Sequence, residues 1–175
     1  MVKPDLQQLT IDSTKKVNQW YENHPIDKFE AVPDSKNWSA GQHLLHLIKL
    51  YKTINQALSV PKMVLRFKFG KRKHEEKSFE FLNNDFVKNY TDKKFEAPDS
   101  VVPGHVKLSD RQALLEKLNR EMKLINKNVG KLSEKALSKY VIPHPYLGNM
   151  TLREFVMFNT LHNEHHLNTL NNYYL

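Results

Sequence analysis

Apolar residues recur at helical spacing in four long stretches of the chain. The first, roughly Pro4 to Asn23, carries Leu6, Leu9, Ile11, Val17, Trp20 and Tyr21 among polar neighbours, and Pro25 closes it. The second opens at Asn37-Trp38-Ser39 and runs to about Ser59. Its apolar members Leu44, Leu47, Ile48, Leu50, Tyr51, Ile54 and Leu58 follow the i, i+3, i+4, i+7 template of an amphipathic helix. The third starts at Ser109-Asp110, with Gln112 three residues after Ser109 as in a capping box. Leu114, Leu115, Leu118, Met122, Ile125 and Val129 form its stripe, and Gly130 is placed to stop it. In the fourth, Thr151 and Glu154 form a T-x-x-E capping box ahead of Leu152, Phe155, Val156, Phe158, Leu161, Leu167 and Leu170, ending near Tyr173.

The segments between are less regular. Val60 to Leu108 reads as an elaborated connection, since a structureless loop of that length would be unusual. Within it Leu65, Phe67 and Phe69 alternate with Arg66 and Lys68, a strand-like period. Ser78 to Tyr90 reads as a short helix with Phe79, Leu82, Phe86 and Tyr90 on one side, and Ala97-Pro98-Asp99 and Pro103-Gly104 as loop. Leu132 to Leu137 reads as a short turn, and Val141 to Met150 as an extended connection with proline and glycine. The expectation is an all-α fold: a four-helix bundle with one long crossover connection between helices two and three, forming a single domain over residues 1–175.

Composition narrows the chemistry. With 39% apolar and 26% charged residues the chain fits a globular protein rather than a disordered one. Only 5 glycines occur, and no G-x-x-x-x-G-K-[ST] or G-x-G-x-x-G run is present, which excludes those phosphate-cradling loops. The absence of cysteine removes disulfides, thiolate metal sites and cysteine nucleophiles.

The net charge of +8 admits an anionic partner. Its densest run is Lys68-Phe69-Gly70-Lys71-Arg72-Lys73-His74, followed at once by Glu75-Glu76. Elsewhere basic and acidic residues mix along helical faces, the ordinary pattern of a solvated surface. No RNA-binding aromatic motif, zinc-finger spacing or helix-turn-helix is recognisable, so nucleic acid is not the expected partner. No signal-peptide core and no stretch of about 20 apolar residues occurs, so neither membrane insertion nor export is expected and the cytoplasm is the default location.

The 9 histidines carry the chemical signal. Leu161-His162-Asn163-Glu164-His165-His166-Leu167 places His162 and His166 one helical turn apart, about 40° around the axis, within the apolar stripe. Two imidazoles so arranged can converge on one cation. Asn163 follows His162, so the H-E-x-x-H of zincin peptidases is absent. Glu164 falls about 200° from His162 and faces away, which removes it as a general base. Segment two offers a third imidazole, His43 or His46, three apart at the edge of its apolar stripe; spacing alone neither chooses between them nor excludes His165. His24, His74, His105 and His144 fall in loops and are expected to be exposed.

Two motifs resemble the DinB-like superfamily of metal-binding four-helix proteins. Trp38-Ser39-Ala40-Gly41-Gln42-His43-Leu44-Leu45-His46-Leu47 is similar to that family's W-S-x-x-[EQ]-x-x-x-H-[LI] start of helix two. His144-Pro145-Tyr146-Leu147-Gly148-Asn149-Met150-Thr151, with Phe155 through Leu170, is similar to its loop, T-x-x-[EQ] cap and H-x-x-H-H helix. Position by position, the resemblance implies that His46, His162 and His166 bind one divalent cation and that His43 and His165 are neighbours.

Members of this family resemble metal-dependent transferases that use low-molecular-weight thiols such as bacillithiol, mycothiol or glutathione. The resemblance therefore implies a thiol S-transferase acting on small electrophiles, with zinc or nickel as cofactor and a low-molecular-weight thiol as cosubstrate. A cation-bound thiol has a lowered pKa, which explains how a protein without cysteine could perform thiol chemistry. The alternatives are a hydrolase using a metal-bound water and a non-catalytic, metal-binding stress-response bundle. Such a bundle could be a homodimer, with Tyr173-Tyr174-Leu175 as a candidate contact.

Overall fold

In a computed structural model the described residues are 1–24, 28–33, 37–92 and 101–174. Pro25, Ala97-Pro98-Asp99 and Leu175 lie outside them. The helices are α1 (Lys3–Asn23), α2 (Ala40–Ser59), α3 (Lys62–Phe69), α4 (Phe79–Asp92), α5 (Arg111–Lys131), α6 (Glu134–Lys139) and α7 (Leu152–Tyr174). Strands β1 (Val141–His144) and β2 (Gly148–Thr151) form one antiparallel hairpin.

The core is α1, α2, α5 and α7 packed tightly together, as a four-helix bundle requires. Each of the first three buries one stripe: Leu6, Val17 and Tyr21 on α1; Leu44, Leu47, Ile48, Tyr51 and Ile54 on α2; Leu118, Ile125 and Val129 on α5. By contrast, α7 is buried all round from Leu152 to Leu161, because α1, α2, α4 and α6 all pack against it. The bundle thus closes around the helix that carries the histidine pair.

Both helices that carry candidate ligands begin at a reciprocal cap. On α2 the Gln42 N–H donates to Ser39 Oγ at 3.2 Å and the Ser39 N–H to Gln42 Oε1 at 2.9 Å. On α7 the Glu154 N–H donates to Thr151 Oγ1 at 3.0 Å and the Thr151 N–H to Glu154 Oε2 at 2.6 Å, the capping box expected there. The S-x-x-Q box at Ser39 is an equally clear sequence signal. At α5 the expected Ser109/Gln112 box is replaced by a 3-10 turn, Leu108–Asp110, in which Asp110 Oδ2 accepts from the Lys107 N–H.

The long connection departs from expectation at α3. The alternation of Leu65 to Phe69 belongs to a helix, α3, and not to a strand. Five alternating residues fit one buried position on a short helix as well as they fit a strand: Leu65 is 1% exposed and Phe67 is 92% exposed. Gly70, at φ +79°, ends it in a conformation that side-chain-bearing residues rarely adopt. The helix expected at Ser78–Tyr90 is α4, whose buried Leu82 and Phe86 lie against the core.

The turn read at Leu132–Leu137 holds the start of α6, which is capped by Ser133 and runs on to Lys139, and α5 runs one residue past Gly130. The extended connection is the hairpin, with Val141 opposite Thr151 and His144 opposite Gly148. In the candidate dimer contact Tyr173 is exposed, whereas Tyr174 is buried, its hydroxyl 3.0 Å from the carbonyls of Ala31 and Trp38.

Candidate metal centre

The two capped helices bring His46 of α2 against His162 and His166 of α7. His46 Nε2 stands 2.9 Å from His162 Nε2, and His166 Nε2 stands 3.0 Å from the same atom. One ring nitrogen from each residue lies within 4.8 Å of the other two, the one such group of three or more potential ligands among the described residues. His46 and His166 are 4% and 5% exposed; His162 is half-buried, with its Nδ1 enclosed and without a hydrogen-bond partner.

The tautomers follow from the partners. His46 Nδ1 lies 2.9 Å from the Val101 carbonyl, which can only accept, so Nδ1 carries the proton and Nε2 presents its lone pair inward. A single N–H on His162 Nε2 would have to serve both neighbouring nitrogens, whereas a cation accepts all three lone pairs. Nitrogens about 2.1 Å from a tetrahedral zinc stand about 3.4 Å from one another, within about half an ångström of the two Nε2 separations here. The donor set therefore fits a divalent ion of the zinc type.

Electrostatics favour the neutral, ligating form of each ring. Burial, reinforced by the neighbouring imidazoles, holds His162 and His166 well below the ordinary histidine range. Burial also lowers His46, opposed by its bond to Val101. His43 is pushed down to about 3 by burial, then by His46 and His165, and His165 to about 4 by burial, then by His46. All five are neutral at pH 7.

The surroundings are aromatic. Trp38 lies nearly parallel to His166, with centroids 6.3 Å apart, and tilts over His46 at 4.8 Å. From the crossover, Phe86 stands edge-on to His162 and His165 at 6.2 and 5.7 Å, and Phe158 lies 5.3 Å from His162. These rings limit water around the cluster, so charge interactions there are stronger than at the surface.

The other histidines divide. His43 is buried, with its Nδ1 2.7 Å from His166 Nδ1, and His165 is half-buried beside His166 with ring centroids 5.3 Å apart. His105 is exposed as expected, and exposed His74 bonds the carbonyls of Glu75 and Asn149. His24 is half-buried, stacked on Trp20 at 4.3 Å. His144 corrects the expectation of an exposed loop residue. Its Nδ1 accepts from the N–H groups of Tyr146 and Leu147, its ring packs on Phe158 at 4.7 Å, and burial lowers it to about 4. A hairpin turn folds it inward, which a proline-flanked histidine does not announce. Glu164 does face away, paired with Lys16 at 3.7 Å.

Sequence reasoning missed the Val101 carbonyl, which has no side-chain signature, and the role of Phe86, which its place in the Phe79-Leu82-Phe86 stripe did signal. No helix of the described residues is long and apolar enough to cross a membrane. Residues 10–170 match the model of the DinB superfamily. No curated protein matches the chain.

Proposed function

The chain belongs to the DinB superfamily, and from that premise we propose that it is a divalent-metal-dependent S-transferase, joining a low-molecular-weight thiol to a small electrophile. The observation that supports this reading is the convergence of the imidazoles of His46, His162 and His166. Zinc or nickel held there would supply a Lewis acid that favours the thiolate form of a bound thiol at neutral pH.

The chain's own residues prepare that chemistry. His46, His162 and His166 hold the cation as neutral donors. Val101 fixes the ring orientation of His46 by accepting its Nδ1–H. Trp38, Phe86 and Phe158 border the cluster with aromatic surface, against which a small electrophile would pack.

The test is thiol-dependent consumption of a chromogenic electrophile by zinc- or nickel-loaded protein, with bacillithiol, mycothiol and glutathione compared. Turnover lost in His162→Ala supports the reading. Full metal occupancy without turnover by any thiol contradicts it. The deep burial of His46 and His166 favours a second reading in that event, a closed and non-catalytic metal site in a helical bundle.

A further inference from the structure

We infer that His43 is a positioning residue of this centre: its Nδ1 accepts the Nδ1–H of His166 and so keeps the Nε2 lone pair of His166 turned toward the cation. The inference rests on the metal-binding reading above.

The argument is one of proton counting. His43 Nδ1 and His166 Nδ1 stand 2.7 Å apart in the buried interface of α2 and α7. A neutral imidazole carries a single N–H, so one of these two nitrogens donates and the other accepts. If His166 accepted here, its proton would sit on Nε2, 3.0 Å from His162 Nε2, and no lone pair would remain for a cation. Ligation through Nε2 thus requires His166 to donate from Nδ1. His43 must then offer a bare Nδ1 and keep its own proton on Nε2.

His43 Nδ1 is the partner that the described residues show at that atom. Trp38 covers the pair, standing edge-on to His43 at 5.6 Å and parallel to His166. Ligand histidines usually lean on a carboxylate or a carbonyl, as His46 leans on Val101. Here another histidine takes that place, three residues before His46 on the same helix. In this arrangement α2 supplies one ligand and the support for a second.

The experiment compares zinc and cobalt affinity of the full chain with those of His43→Phe and His43→Asn, by competition against a chromogenic chelator. Phenylalanine keeps the ring and removes the acceptor; asparagine places Oδ1 near the position of Nδ1. Affinity should fall about 10- to 100-fold in His43→Phe and recover largely in His43→Asn, with tetrahedral cobalt absorption bands in both. Imidazole 15N spectra of the zinc-loaded native chain should show His43 protonated at Nε2 and His166 at Nδ1, a readout that needs no variant to fold.

Native affinity in His43→Phe, or a proton on His43 Nδ1 in the loaded protein, overturns the inference. So does loss of stoichiometric binding equal to that of His166→Ala, which would make His43 a ligand. Failure of the native chain to take up either metal would refute the metal reading itself, and this inference with it.

Discussion

His46 Nε2 and His162 Nε2 face each other at 2.9 Å although 116 positions separate them in the chain. Such a meeting requires two helices held in fixed register, and the caps at Ser39 and Thr151 set where each of those helices starts. The predictions begin with the parts that maintain this register.

Glu154 is fully buried, and its carboxylate accepts at 2.6 Å from the N–H groups of both Thr151 and Lys77. Glu154→Ala leaves two donors unpaired at the start of α7. We expect a loss of about 2 kcal/mol or more, read as a lower urea midpoint with an unchanged slope. A change under about 0.5 kcal/mol would mean that the cap is dispensable.

Gly41 lies five residues before His46 on α2. A Cβ built there meets Phe29 Cε1 at 2.7 Å and Val106 Cγ1 at 3.0 Å. Alanine ordinarily favours a helix over glycine, so the sign of Gly41→Ala is diagnostic. Overpacking should win, with destabilisation of about 1–3 kcal/mol and weakened metal uptake. A rise in melting temperature would show that Phe29 moves aside freely.

In metal-free protein, acid should destabilise the fold well above the carboxylate range. His144 titrates near 6.5 when unfolded and near 4 when folded, held down by burial and then by Lys77. Between those values the unfolded chain binds more protons, so stability falls as the pH drops through that window and levels below it. His46, His162 and His166 shift the same way and deepen the fall. Chelator-treated protein melted from pH 7 to pH 4 checks this. A flat melting temperature down to pH 5 would contradict it.

A cation bound only by the folded bundle stabilises it by mass action, about 2.7 kcal/mol when free metal is 100 times Kd. The melting temperature should therefore rise with zinc concentration in the native chain and stay constant in His162→Ala. The same zinc-dependent rise in both would place the binding elsewhere.

Much of this arrangement was legible in the sequence, for identifiable reasons. The four helices of the core announce themselves through stripes long enough to specify a period, and the T-x-x-E box marks the start of α7 to the residue. His162 and His166 were fixed as a pair by being one turn apart on an apolar face. The third member, His46 or His43, depended on how α2 rotates against α7, which spacing within one helix does not encode. It took the family motif to separate them, and the structure places His46 at the three-nitrogen cluster and His43 behind His166. The alternation in α3 misled because five residues are too few to distinguish periods of 2 and 3.6. His144 was hidden because its burial depends on a hairpin turn and on Phe158, both distant from any pattern of its own.

The central claim is that His46, His162 and His166 form one metal centre. Elemental analysis of untagged protein tests it most directly, with His46→Ala, His162→Ala, His166→Ala and His165→Ala prepared alongside. We predict about one divalent ion per chain in the native protein and in His165→Ala, and none in the other three. Loss of metal in His165→Ala with retention in His46→Ala, or no metal in the native chain even after reconstitution, would contradict the account.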